Sequence, residues 1–454
     1  MTLATNKVYK AFIYLLTIFI IVLFCHNQQN THFQLDAQKY FITANNQATK
    51  TPAINLLALP ITKIYPLHHN RTYILPEPNY NGPLFQLIWH KTIMSNSEEA
   101  SAKKWFFVSF FGYLIGILLI LRAFKINTIY TFALMLLYTL AAPATIYNLA
   151  SGQVGGICAF VVGVLCYLSS QNQQKLFAAF LGFAVCFKYF FVILAANILH
   201  NKKLISIAVI TFILCLYLPT LFLDQAALIK HFHLFYGNAL ASIILKGYNT
   251  LNSGIFAGIV RPWTDSFGPQ YSPIWQLILV FFLSSLAFFA TSLSSLNRKD
   301  KSSSTSYFLT QLKNLAAFLI LANLINPLSW SYYDFCYLPG IIIILISLNN
   351  RKNKNIYIIA LVSIIFCKHW KYFNYINFAS LAHNHNSIYL YGFASLKNFW
   401  INYAHILANI SLLPLTLTAN LQHINPKSLT IPFTAYILCL IPLFAWIPDW
   451  GMQF

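Results

Sequence analysis

Acidic side chains are nearly missing from this chain. Asp and Glu number nine among 454 residues, against twenty-nine Lys and Arg. A reaction that needs a carboxylate base therefore has very few candidates. Charge of either sign is scarce: 8% of residues carry it, where a soluble domain runs to about a quarter. That excludes an ordinary soluble domain. Cysteine is present but unpatterned. Cys25, Cys158, Cys166, Cys186, Cys215, Cys336, Cys367 and Cys439 lie in or beside apolar stretches, with no CxxC pair and no ligand-like spacing. They read as small buried hydrophobes. No solenoid-like repeat appears, and no Pro/Gly/Ser linker marks off a second domain.

What the chain has is apolar length. Hydrophobic residues make up 58% of it, in recurring runs of about 17–25 residues, each long enough to cross a bilayer as a helix. Such runs fall near 11–25, 105–121, 128–147, 153–169, 176–199, 204–222, 272–292, 308–325, 335–348, 355–367, 396–415 and 428–447. The expectation is a single all-α, multi-pass membrane domain over 1–454, in a plasma (bacterial inner) membrane. A formal charge of +20 would suggest a nucleic-acid partner in a soluble protein. In a membrane protein it reads as Lys and Arg gathered in loops that meet anionic lipid, so no nucleic acid is expected. Lys7 and Lys10 precede the first apolar run without a small-residue cleavage pattern, which predicts an uncleaved first helix.

Basic linkers set the orientation. Lys7/Lys10, Arg122/Lys125, Lys175, Lys202/Lys203, Arg298/Lys299/Lys301 and Arg351/Lys352/Lys354 lie on the cytoplasmic side by the positive-inside rule. The long segments 26–104 and 223–271 then become extracytoplasmic loops, with the short linkers 148–152 and 326–334 on the same face. SLSSLNRKDKSSSTS (292–306) reads as a cytoplasmic loop. Segment 176–199 breaks the parity, since both its flanks look cytoplasmic. Either one linker is misassigned, or two half-helices enter, turn near Lys188 and return. Broken backbone at membrane depth requires a cavity or surrounding protein, and transporters use broken helices around their sites.

Lys188 sits in the middle of that run. A cation at membrane depth costs about 2.5–3.5 kcal/mol on permissive insertion scales, so it faces a cavity or an anionic partner. A phosphate would suit an ammonium; the bland alternative is snorkelling to the interface. NLASGQVGG (Asn148 to Gly156) puts the Gln153 amide and close-approach glycines at a helix start, a pattern common in purely structural settings. On the same face, YNTLNSGIFAGIVR (248–261) offers Asn249, Asn252 and Arg261 beside apolar surface. That suits a sugar-phosphate headgroup, or an interfacial helix that binds nothing specific. His231 and His233, two apart, point in different directions on a helix, so no metal is expected. NPLSWSYYDF (326–335) gathers Trp330, Tyr332, Tyr333 and Asp334, as aromatic belts and sugar clefts both do. Asp36 opens the first external loop, and Asp334 is its rival carboxylate.

In this order the motifs resemble glycosyltransferase family 87, polyprenyl-phosphate-mannose-dependent membrane enzymes of the GT-C architecture. The similarity runs from about 36 to 350 and lies in the sequence of short motifs. Asp36 matches the loop Asp used as catalytic base, with Tyr40 in the following aromatic position. Tyr80, Asn81, Gly82, Pro83 and Leu84 resemble a Tyr-Pro-Pro-Leu element with an insertion. Gly152 and Gln153 match a GQ pair, and Lys188 an intramembrane Lys, although Tyr189 stands where a Pro usually follows. Tyr248 to Asn252 resembles N-Q-S-L-N. Pro327, Ser329 and Trp330 match P-x-S-W, with Tyr332 and Tyr333 replacing a His pair. That replacement leaves the sugar open: a mannose-like hexose or another.

The resemblance implies a bundle of about 11–13 transmembrane helices, with short helices in the two external loops. It also implies a polyprenyl-phosphate sugar donor, a lipid-linked or glycan acceptor, and an inverting transfer on the extracytoplasmic face without metal or other cofactor. Asp36 would deprotonate the acceptor hydroxyl as it attacks the anomeric carbon. Lys188, Gln153 and Arg261 would hold the departing phosphate, while Tyr40, Asn148, Asn249, Asn252, Trp330, Tyr332, Tyr333 and Asp334 would line the substrate. The rivals are a transporter or flippase for a lipid-linked or small solute, and an O-antigen ligase or polymerase.

Overall fold

The computed structural model describes residues 8, 10–19, 21–22, 83–126, 129–142, 145, 148–149, 152–222, 254–255, 304–326, 331–348, 355, 357–368 and 396–419. Among them the chain is helical, and no strand occurs. α1 (Lys10–Phe19) is followed by a short helix, α2 (Pro83–Ile88), which runs straight into a π-helical turn, Trp89–Ile93. Then come α3 (Glu98–Ala123), α4 (Ile129–Ala141), α5 (Gly155–Ser170), α6 (Gln174–Phe187) and a 3₁₀ helix, Tyr189–Asn197. α7 (Lys202–Tyr217) ends in a second 3₁₀ turn, Leu218–Leu221. α8 (Ser304–Ile325) precedes a 3₁₀ segment, Ser331–Tyr337, that leads into α9 (Leu338–Leu348). α10 (Tyr357–Lys368) and α11 (Leu396–Leu417) complete the described chain.

Two of these helices are long and apolar enough to cross a membrane, Glu99–Ala123 and Lys202–Leu221. α3 begins inside the segment read as the first loop, because Ser97 supplies an N-cap: its hydroxyl accepts from Ala100 N at 3.2 Å. Ser95 N donates to Ser101 Oγ at 2.9 Å, which ties the chain after the π turn to the first turn of α3. The apolar runs 272–292 and 428–447, and most of both long loops, lie outside the described residues.

α3 and α5 make the closest seam. Gly112 and Gly116 form a GxxxG stripe on α3, and a Cβ on Gly116 would lie 2.5 Å from Ala159 O. A Cβ on Gly163 of α5 would lie 2.6 Å from Gly116 O. Only small residues let two backbones approach this far, as at helix contacts inside bilayers. α9 is buried along its whole length, as expected of a helix that is apolar all round. α7 is also apolar, but only its Leu204 is buried: Leu214 is 63% accessible, and Leu221 in the 3₁₀ turn that follows is 75% accessible.

The chain doubles back within 176–199. Residues 172–176 share a cleft of about 570 Å³ with 201–207, so α6 and α7 begin side by side. Further along, Gly182 abuts Ala208, and Cys186 lies in electrostatic range of Cys215. α6 and α7 therefore run parallel. Two parallel helices need a returning strand of chain between them, and the 3₁₀ helix Tyr189–Asn197 supplies it. The chain ascends α6, turns at Lys188, descends, and ascends again in α7. Lys188 forms the turn, with extended backbone at φ −146° and ψ 115°.

Candidate functional site

Four elements converge around the Lys188 turn. Lys188 N still closes the last turn of α6 by donating to Ala184 O at 2.8 Å, and Lys188 O accepts from Phe191 N at 3.2 Å to open the 3₁₀ helix. Nine residues of 3₁₀ is long for a form that seldom exceeds three or four and often marks a functional hinge. On one side of the turn, Phe187 packs against Phe85 of α2, ring centroids 5.6 Å apart. On the other, Tyr189 OH donates to Asn326 Oδ1 at 2.9 Å. Phe190 packs on Tyr333 at 5.1 Å.

The Gly152–Gln153 turn lies against the same group of elements. Gly152 adopts φ 73°, a left-handed conformation in which a Cβ is strained. That turn presents Gly152 O to Trp105 Nε1, which donates at 2.7 Å. Gln153 N donates to Asn148 O at 3.0 Å. Trp105 belongs to an aromatic cluster with Trp89 (4.7 Å) and Phe85 (5.5 Å). α2 thus packs both on Trp105, whose indole is bonded to the Gly152 carbonyl, and on Phe187. One turn into α5, the Cys158 thiol lies in the electrostatic field of Lys188.

Asn148 is fully buried and accepts from Tyr113 OH at 3.2 Å. Tyr113 connects outward to the 331–337 segment, its ring 6.3 Å from that of Phe335. Tyr333 is buried, and its carbonyl accepts from Asn323 Nδ2 of α8 at 3.4 Å. Asp334 faces α10, where Lys368 Nζ stands 3.0 Å from its Oδ1. The lysine side chain is 2% exposed and the aspartate 16%. Lys368 also donates to Asn409 Oδ1 of α11 at 2.8 Å and lies 3.9 Å above the Tyr337 ring.

Of the residues singled out in the sequence, the structure brings Lys188, Gln153, Asn148, Tyr333 and Asp334 into one region. Asp36, Tyr40, Asn249, Asn252, Arg261 and Trp330 lie outside the described residues, as does the Tyr332 side chain. Sequence reasoning missed Tyr113, Trp105, Gln86, Asn326, Lys368 and Asn409. Lys368 ends an apolar run on the side away from the basic linker Arg351–Lys354, a placement shared by ordinary interfacial lysines.

Comparison with protein-family models, curated proteins and solved structures finds no match for this chain.

Proposed function

We propose that the protein is an integral membrane glycosyltransferase. It moves a hexose from a polyprenyl-phosphate sugar to a lipid-linked or glycan acceptor on the extracytoplasmic face. The observation that carries the reading is the turn of the chain at Lys188. α6 spans about 21 Å at 1.5 Å per residue, less than the roughly 30 Å of a hydrocarbon core. In a bilayer, a chain that turns back there would hold the Lys188 ammonium within the apolar layer. A lipid phosphate is an anion that suits an ammonium in such a place. The exposed apolar surface of α7 agrees with a lipid-facing position.

In this reading Lys188 stabilises the phosphate as it departs. The acceptor oxygen bonds to the anomeric carbon while the bond from that carbon to the phosphate oxygen breaks. The acceptor proton passes to Asp36. The leaving group is a phosphate monoester, already a stable anion, so no general acid is needed. The role of Asp36 rests on its scarcity, its loop position and the family resemblance.

A second reading has its own support. The buried Asp334–Lys368 pair beside an irregular 3₁₀ segment, together with the turn at Lys188, gives two helix interruptions carrying ionisable groups, as in carriers. Purified protein in nanodiscs, supplied with a prenyl-phosphate hexose and candidate acceptors, separates the two. Transfer that disappears in Asp36→Asn, with the fold retained, supports the transferase. Solute flux in proteoliposomes without any transfer supports the carrier.

A further inference from the structure

The segment Pro83–Ile93 carries a polar edge that the protein leaves unsatisfied. Gln86 is 0% exposed, and neither its amide nitrogen nor its amide oxygen has a hydrogen-bond partner. His90, four residues on, holds an enclosed Nδ1 that is likewise unpartnered. Residues four apart share a helical face, so three unsatisfied polar atoms stand along one edge of α2 and its π turn. Phe85 and Trp89, also four apart, pack into the aromatic cluster with Trp105. Buried polar groups are almost always hydrogen-bonded, and an exception calls for a reason such as a bound ligand. π-helical turns occur often at functional sites.

The atoms define the ligand. An amide offers two donors and one acceptor, and a neutral imidazole nitrogen offers one or the other. A phosphate or carboxylate would leave the amide oxygen facing another acceptor. Hydroxyls donate and accept at once, so neighbouring hydroxyls of a sugar complete both ends of the amide. The Phe85–Phe187 contact brings the helix that carries Gln86 against the end of α6, where Lys188 forms the turn. We propose that Gln86 and His90 form a sugar subsite, binding hydroxyls of the hexose whose phosphate Lys188 receives. This rests on the transferase reading for the phosphate, but not for the sugar.

Gln86→Leu tests it, because leucine matches the volume and removes both amide groups; His90→Leu serves as a second variant. Full-length protein in nanodiscs is titrated with three probes. These are a short-chain prenyl phosphate, the same lipid phosphate carrying mannose or glucose, and phosphate-free alkyl mannosides and glucosides. Wild type is expected to bind the sugar-bearing probes more tightly than their sugar-free counterparts. Gln86→Leu is expected to cancel that gain, by about tenfold in Kd, while raising the thermal midpoint and leaving prenyl phosphate affinity unchanged. A variant that keeps the full gain, or a wild type with no sugar dependence on any probe, overturns the subsite. Failure to bind bare prenyl phosphate instead counts against the transferase reading, and the alkyl glycosides still decide Gln86.

Discussion

Lys368 and Asp334 face each other at 3.0 Å across α10 and the 3₁₀ segment before α9. Two further contacts hold the ammonium, Asn409 Oδ1 at 2.8 Å and the face of Tyr337. This gives the one strong rival to Asp36 a structural occupation. Removing one member of such a buried pair leaves the other as an uncompensated charge, at about 3–5 kcal/mol. Lys368→Met and Asp334→Asn should each lower the thermal midpoint sharply. The double substitution should recover most of the loss, which a double-mutant cycle measures. Additive losses would mean that the pair contributes no coupling.

The seam between α3 and α5 yields a second expectation. Gly116 approaches Ala159 O so closely that a Cβ would stand 2.5 Å away. Gly116→Ala forces the helices apart over a contact that also positions Tyr113 and the start of α5. Overpacking of this kind costs typically about 1–3 kcal/mol. Gly116→Leu should prevent stable folding, whereas Leu114→Ala, half-buried on the same helix, should cost less. Thermal unfolding monitored by circular dichroism in nanodiscs ranks the three.

How far these features can be read from the sequence differs residue by residue. The turn at Lys188 falls inside 176–199, the apolar run that basic linkers on both flanks set apart in the sequence. Gly152 and Gln153 are visible only as a common helix-start pattern; the Trp105 indole that fixes them is 47 residues away in sequence. Lys368 ends an apolar run as any interfacial lysine does, and its pairing with Asp334 depends on how α10 docks. Gln86 looks like an ordinary loop polar residue until its complete burial is known. Apolar periodicity reports the helices. It carries no information about which polar side chains meet across helices.

His90 predicts a pH response. Burial, and then the adjacent Lys91 charge, holds its imidazole below the usual 6.5. Below pH 6.5 the unfolded chain therefore takes up a proton that the folded chain refuses, so stability falls with decreasing pH. The loss begins near pH 6.5 and ends once the folded imidazole itself protonates; above 6.5 the group contributes nothing. Thermal midpoints of wild type and His90→Gln should converge above pH 7 and separate between pH 6.5 and 5, with the wild type losing more. Parallel curves across that range would show that His90 does not titrate differently on folding.

Lys188 gives the most direct test of the site. Lys188 stands where α6 breaks, and its neighbours are fixed on both sides, Phe187 against Phe85 of α2 and Tyr189 on Asn326. Lys188→Met keeps the length of the side chain and removes the charge, so it isolates what the charge contributes. The same substitution should lower transfer from a prenyl-phosphate hexose by about 10²–10³-fold, the usual loss when one oxyanion-stabilising group is removed. It should also weaken binding of bare prenyl phosphate. Lys188→Arg keeps the charge and should retain part of both functions, since a guanidinium also binds phosphate. Stability gained with transfer lost would mark Lys188 as a residue kept for function at the expense of the fold. If Lys188→Met loses stability and keeps lipid-phosphate binding, the turn is a structural device and the phosphate lies elsewhere.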